Sequence, residues 1–257
     1  MSAACVLSIG IAGCAKDRMT TGSLTRSSGK PIEQMSADEL HSAASSLGRT
    51  YARNPGDKDT AMSYAQVLQM NGNSDQSLAV MRKLAIDMPK DRSVLAAYGK
   101  ALAGAGQFHP ALDAVRRAQT PEYPDWKLFS AEGAILDQLG EAAEARDLYR
   151  KALALKPNEP SVLSNLGMSY VLGGDLRTAE THMRSAAQAP GADSRVRQNL
   201  ALVVGLQGRF EEAEQIARQE LAPEQAEANV AYLRSMLAQQ NAWSQLKDDE
   251  KKKAKAE

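Results

Sequence analysis

The chain has 257 residues, 43% hydrophobic and 24% charged, with 18 Gly and 10 Pro, which excludes collagen-like, low-complexity and wholly disordered chains. Lys plus Arg equals Asp plus Glu at 31 each, so no net field holds nucleic acid or an anionic membrane surface by charge alone, and nucleic acid is not an expected partner. With three Phe and two Trp beside abundant Ala and Leu, helices are favoured over strands and the expected class is all-α.

The first feature in chain order is an apolar run over residues 3–12, broken by Ser8 and Gly10. It is about half the ~20 residues of a spanning helix and has the size of a signal-peptide apolar region. It ends in Ile11-Ala12-Gly13-Cys14. These residues resemble a bacterial lipobox, although no Lys or Arg precedes the run. The resemblance implies that residues 1–13 are a lipoprotein signal peptide and that the Cys14 thiol is acylated and becomes the first mature residue. A start codon assigned too far downstream would account for the short, uncharged leader. Cys5 lies in the signal, so the mature chain would have no disulfide. Residues 14–35, rich in Ser, Thr and Gly over their first part, read as a flexible tether. Ala15, where aspartate would signal retention in the inner membrane, implies the periplasmic face of the outer membrane. Anchoring in the inner membrane and a soluble periplasmic form are the alternatives.

Residues 36–57 follow as a lone N-terminal capping helix, with Ala43, Leu47 and Pro55 in the phase of the second helix of a repeat. The repeats themselves have a period of 34. Gly72, Gly106, Gly140, Gly174 and Gly208 keep that spacing without a slip, as do Gly99, Gly133 and Gly167, then Ala111, Ala145, Ala179 and Ala213, then Ala118, Ala152 and Ala186. Pro55, Pro89 and Pro157 share one phase, while Pro121 and Pro124 straddle it. Gly133 and Gly167 fall in mid-helix at a cost of about 1 kcal/mol against Ala, which demands close approach of a neighbouring helix. Gly140, Gly174 and Gly208 fall between helices, where positive φ ends one helix and turns the chain.

The pattern resembles the tetratricopeptide repeat, a helix-turn-helix unit of 34 residues. Leu163, Leu166, Gly167, Tyr170, Ala179, Met183 and Ala186 carry it in one unit. Phe129, Gly133, Leu136, Ala145, Tyr149, Ala152 and Pro157 carry it in the preceding one, where Glu132 replaces the usual leucine. The fold expected is an α-solenoid of about five repeats over residues 58–227, beginning at Lys58, Arg92, Trp126, Pro160 and Ser194. A closing helix begins at Glu224, its remainder being residues 228–246, and residues 247–257 form a frayed, charged tail.

Chemistry is sparse. His41, His109 and His182 have no metal-ligand spacing, Gly104-Ala105-Gly106 lacks the rest of a phosphate loop, and Glu211, Glu212 and Glu214 open a helix where negative charge suits the dipole. No catalytic residue, metal or cofactor is expected, nor a small-molecule substrate. Trp243 lies beyond the repeats, packing the closing helix or anchoring a partner.

In the repeat family that this chain resembles, the first helices line a groove for an extended peptide or partner helix. The groove residues implied are Lys127, Ser164, Asn165, Met168, Arg195, Gln198, Asn199 and Leu202. Asn165 and Asn199 share one place in successive repeats, like a ladder that hydrogen-bonds peptide backbone. The lysine clamp for terminal carboxylates is missing.

A repeat lipoprotein of this kind resembles pilotins, which escort secretins of pili and secretion systems, and the repeat lipoprotein of the tight-adherence (Flp, Tad) pilus system. The implied function is a non-catalytic assembly scaffold with a secretin or another pilus or secretion component as its protein partner, held to the outer membrane by a lipid anchor. A lipoprotein of outer-membrane protein insertion or cell-wall synthase regulation is one alternative, and a non-catalytic subunit of an enzyme complex is another.

Overall fold

The computed structural model describes residues 31–254, with side chains up to residue 239. Among the described residues there are twelve α-helices, one 3-10 turn and no strand. The chain is all-α, as its composition requires. The signal, Cys14 and most of the tether lie outside the described residues, as does the Trp243 side chain.

The helices follow the 34-residue period. After a first helix α1 (Ala37–Arg53), the hairpins are α2 (Lys58–Met70) with α3 (Ser74–Asp87), α4 (Arg92–Gly104) with α5 (Phe108–Ala118), and α6 (Trp126–Leu139) with α7 (Ala142–Leu155). They continue with α8 (Pro160–Leu172) and α9 (Leu176–Gln188), then α10 (Ser194–Leu206) and α11 (Phe210–Ala217), before a long α12 (Pro223–Ala254). Local chemistry sets both ends of the hairpin turn. The five glycines between paired helices have φ from +72° to +85°, a region in which a Cβ is strained. At the other end aspartates stand immediately before four of the first helices. The side chains of Asp57, Asp91, Asp125 and Asp193 accept backbone N–H bonds from Thr60, Ser93, Lys127 and Val196 at 2.8–3.0 Å, which satisfies donors that a helix start leaves open. The one departure is Glu159, whose helix has Pro160 at its first position and so lacks one such donor.

The chain divides into two compact units, Met1–Leu155 and Lys156–Glu257. In the first, Ala61, Leu68, Met81, Leu84, Val94, Leu102, Val115 and Ile135 belong to one buried cluster. In the second, Met168, Met183, Val203, Val204 and Val230 do the same. The paired helices approach closely where glycine recurs in the first helix. A Cβ on Gly99 would lie 2.6 Å from Val115 Cγ2 and 3.2 Å from the Ala111 carbonyl; on Gly167 it would lie 3.0 Å from Met183 Cε and 3.2 Å from the Ala179 carbonyl. In the first hairpin, where the phase holds Ala65 and Ser77, the Ser77 hydroxyl donates to the Ala65 carbonyl at 2.7 Å.

The ends differ from the reading of the sequence. Residues 32–35 are not all tether: Ile32–Gln34 forms the 3-10 turn, and Ile32 and Met35 pack on Leu40, Ala43 and Val67, because an apolar pair this close to α1 can be buried. Ser36 then caps α1 reciprocally, its Oγ accepting from Glu39 N and its N–H donating to Glu39 Oε2. At the other end, α12 starts at Pro223 and continues to Ala254, through residues expected to fray. No Gly or Pro interrupts residues 224–254, and Asp248 and Asp249 precede Lys252 and Lys253 by four, a spacing that supports a helix. The displaced prolines also find their reason. Helix α5 ends at Ala118 because Thr120 precedes Pro121 and is biased out of the helical region. The turn that follows, Tyr123 N–H to Thr120 O at 3.2 Å, is held by Arg92 bonds to the carbonyls of Ala118 and Tyr123, each 2.8 Å.

Close approach makes a graded prediction. Gly99→Ala should destabilise the protein by about 1–3 kcal/mol, because Val115 is β-branched and stiff. Gly167→Ala should cost less than Gly99→Ala: the Ala111 and Ala179 carbonyls stand equally near, at 3.2 Å, but Met183 can move where Val115 cannot. Thermal or urea melts showing equal effects of the two substitutions would remove this account.

Candidate partner-binding face

The first helices of the hairpins present the face that the sequence assigns to a partner. Lys127, on α6 of the first unit, is exposed, its ammonium 5.5 Å from the Trp126 ring centroid. The other seven residues lie in the second unit on α8 and α10. Gln198 is exposed, and Asn165, Arg195, Asn199 and Leu202 are half-buried. Ser164 and Met168, expected to face solvent, are 4% and 7% exposed. They are interior residues: Met168 joins the buried cluster with Met183 and Leu200, and Ser164 lies between α9 and α10.

The polar members of this face are engaged with one another. Asn199 Nδ2 donates to Ser164 Oγ at 3.1 Å, and Ser164 Oγ makes a weak 3.6 Å contact to Met183 Sδ. Gln198 Nε2 donates to Ser194 Oγ at 2.9 Å, and Arg195 lies 3.8 Å from Asp193. Asn165 is engaged as well. The shared phase of Asn165 and Asn199 therefore places Asn199 in an interhelical hydrogen bond, with one amide hydrogen committed. The other end of the same helices is apolar. Leu172, closing α8, is 50% exposed, Val171 and Leu202 are half-buried against the second unit's core, and Leu206, closing α10, is half-buried. Leu172 and Leu206 were not singled out by sequence reasoning. They share a phase with Met70, which is 42% exposed, but a leucine in a helical stripe looks alike whether it faces core or solvent.

Electrostatics fix the edges of the hairpins. Glu132, at the place of a usual leucine, is 8% exposed and accepts from Arg116 Nε at 2.6 Å, while Arg116 also reaches Glu144 at 2.9 Å. The same bridge recurs 68 residues on, where Arg184 reaches Glu212 at 2.6 Å. Glu180 completes a network in the second unit: it accepts from Arg184, from Gln207 at 2.8 Å and from Arg209 at 2.7 Å. Burial pushes the Glu180 carboxyl up, but those three donors outweigh it and hold it at about 2. Glu212 is also lowered, by Arg184 and Arg209. Within the acidic cluster at the start of α11, Glu212 is thus ion-paired, and Glu214 reaches Arg218 at 2.5 Å.

Sequence profiles described as tetratricopeptide repeat match residues 129–159, and again 160–185 and 195–219. Residues 129–219 therefore carry tetratricopeptide repeats. Many solved structures share the fold. Among them PilW, a widely conserved type IV pilus biogenesis factor, superposes with a TM-score of 0.61 at 19% identity, over 80% of this chain and 94% of its own. A thermophilic tetratricopeptide-repeat protein of Thermus thermophilus gives 0.60 at 20%, over 68% and 97%. The APC/C hetero-tetramer Cut9–Hcn1 gives 0.62 at 16% over 80% of this chain, which spans only 41% of that one. At these identities the likeness is one of fold. No curated protein sequence matches the chain.

The side-chain geometry makes two predictions. Asn199→Ala should cost about 0.5–1.5 kcal/mol of stability, and adding Ser164→Ala should cost less than the sum of the single changes because the two share one hydrogen bond; strict additivity in urea melts would show that the bond carries no coupling. Glu180 has a folded-state value below its ordinary 4.5, so its contribution is full above about pH 4.5 and is lost as pH falls toward 2. Glu180→Gln should flatten that part of the pH–stability curve, and a curve of unchanged slope would contradict the network.

Proposed function

We propose that this chain is a lipid-anchored, non-catalytic assembly scaffold that holds a protein component of a pilus or secretion complex, in the manner of a pilotin. Tetratricopeptide repeats are protein-interaction scaffolds, and the observation that carries the reading is the face of α8 and α10, polar at the helix starts and ending in the exposed Leu172. Three further features support it: the Cys14 lipobox, the polar residues that follow it, and the likeness of fold to PilW over nearly all of that protein. No described helix is long and apolar enough to cross a membrane, and a diacylated or triacylated Cys14 would supply the attachment instead, since one chain binds marginally and two or more hold firmly. The partner's contact is apolar in character. Half-exposed leucine gains from being covered, whereas Asn199 already has a protein partner.

The test has two arms. Cys14→Ser should move the protein from the membrane fraction to the soluble fraction or block its processing, and unchanged fractionation would remove the anchor. Co-purification of the full-length lipoprotein identifies the partner. Leu172→Asp should then weaken that complex roughly tenfold, since covering the exposed half of a leucine is worth about 0.8–1.5 kcal/mol and a carboxylate there would be desolvated besides, with helicity retained because the side chain is half outside. Equal affinities would move the contact off this face.

A further inference from the structure

We propose that the Asn71–Gly72 peptide is a site of spontaneous deamidation whose rate is gated by the capping helix α1. Asn71–Gly72 is the one Asn–Gly pair in the 257 residues. It sits in the turn between α2 and α3, with Gly72 exposed at φ +77° and nothing within 4 Å of the place its Cβ would take. Where no side chain screens the following nitrogen, the chemistry is intrinsic. The Gly72 backbone nitrogen attacks Asn71 Cγ and loses its proton, the C–N bond of the side-chain amide breaks, and ammonia leaves a five-membered succinimide. Water then opens that ring at either carbonyl, giving aspartate or isoaspartate at position 71.

The folded turn opposes the attack in three ways. Asn71 has a near-helical backbone, φ −82° and ψ 5°, which holds its Cβ and the Gly72 nitrogen far from the eclipsed arrangement that ring closure needs. The Gly72 N–H is donated to the Gln69 carbonyl at 3.1 Å. The side-chain amide is itself held, Asn71 Nδ2 donating to the carbonyl of Leu40 on α1 at 3.1 Å. This last bond joins the reacting group to an element of low local stability. Helix α1 packs chiefly on α2 and buries only Leu40 and Ala43 among its own residues, and terminal elements of a repeat array open ahead of the rest. Opening α1 lifts the restraint on the side-chain amide, so reaction runs faster from the open form, while the turn's own two restraints still hold it below the free peptide.

The product also bears on α1. A carboxylate at 71 has no N–H to give the Leu40 carbonyl and sets two acceptors against each other, so the helix re-docks less well. The surface it leaves includes Val67, fully buried when α1 is in place. Deamidation thus turns a reversible opening at the N-terminal end of the array into a lasting one.

The test uses the full-length protein, incubated near neutral pH at physiological temperature and followed by peptide mapping with isoaspartate detection. Conversion at residue 71 should exceed that at Asn54, Asn73, Asn158 and the other asparagines, and should be several-fold slower than in a short peptide of residues 69–74. Leu40→Ala, which loosens α1, should raise the rate at least severalfold toward the peptide's, and sub-denaturing urea should do the same to the unchanged chain if that variant proves poorly folded. Hydrogen exchange should show α1 amides less protected in Asn71→Asp and in aged protein. The proposal is overturned by an amide at 71 as durable as the other asparagines, by a rate indifferent to both Leu40→Ala and urea, or by an α1 equally protected before and after conversion.

Discussion

The fold depends on how near the two helices of each hairpin can come. At Gly99, Gly133 and Gly167 the first helix has only hydrogen where a methyl would stand 3.0–3.2 Å from a carbonyl of the second helix, at Ala111, Ala145 and Ala179. These contacts involve backbone, which cannot turn aside as a side chain can, so the separation of the helices is imposed by residue size. Alanine serves the same end on the second helix, where Ala111, Ala145, Ala179 and Ala213 are fully buried. Larger groups then fill the space one turn on, and their identity varies: Val115, Tyr149 and Met183 occupy one phase. Tyr149 brings a hydroxyl into the interior and donates it to Asp137 at 2.8 Å, and burial beside that carboxylate pushes the phenol well above its ordinary value. In these three hairpins the backbone contact is constant and the side chain beyond it is adjustable.

Polar ties join the hairpins alongside the apolar clusters. Lys58 reaches Asp91 at 2.6 Å, Arg116 holds Glu132 and Glu144, and in the second unit Arg184 reaches Glu212 and Arg209 reaches Glu180, while Arg92 closes its own hairpin onto the turn that follows, at the carbonyls of Ala118 and Tyr123. Exposed ion pairs contribute little to stability, typically about 0–1 kcal/mol. Glu132 and Glu180 are different because their carboxylates are mostly covered, and removing a partner there would leave a desolvated charge. Such ties set the register of one repeat on the next, whereas the apolar clusters supply the bulk of the burial.

The periodic part of this architecture was legible in the sequence because one residue type has one mechanical reason at each recurring place. Glycine at 34-residue intervals marks the turn, mid-helix glycine the close approach, and the helix phases follow. A second column was equally visible and was passed over: acidic residues at 57, 91, 125, 159 and 193, four of them aspartates whose side chains cap the first helices. The irregular parts were harder for physical reasons. Ile32 and Met35 look like linker until α1 offers a surface to cover, and the charged residues after 246 carry no apolar stripe yet contain nothing that breaks a helix. On the partner face, sequence phase locates which residues lie on the first helices but not which ones their neighbours cover. Ser164 and Met168 share that face's phase and are buried; Leu172 resembles a core leucine and is half exposed.

That distinction bears on what the face can recognise. A polar side chain contributes to binding by its unpaired donors and acceptors, and exchange of a hydrogen bond with water leaves a net gain of only about 0.5–1.5 kcal/mol. Asn199 must also give up part of its bond to Ser164, or share its remaining hydrogen, before it can serve a ligand, so its share is smaller still. An exposed leucine has no prior partner to surrender. Covering its remaining surface gains about 25 cal/mol per Å² without a competing loss, and Val171 and Leu202 are already packed on the core of the second unit. If this face holds a partner as proposed, its affinity would reside at the ends of α8 and α10 and its polar starts would act on orientation, Arg195 and Gln198 selecting a partner by charge and hydrogen bonding while contributing little to how tightly it is held.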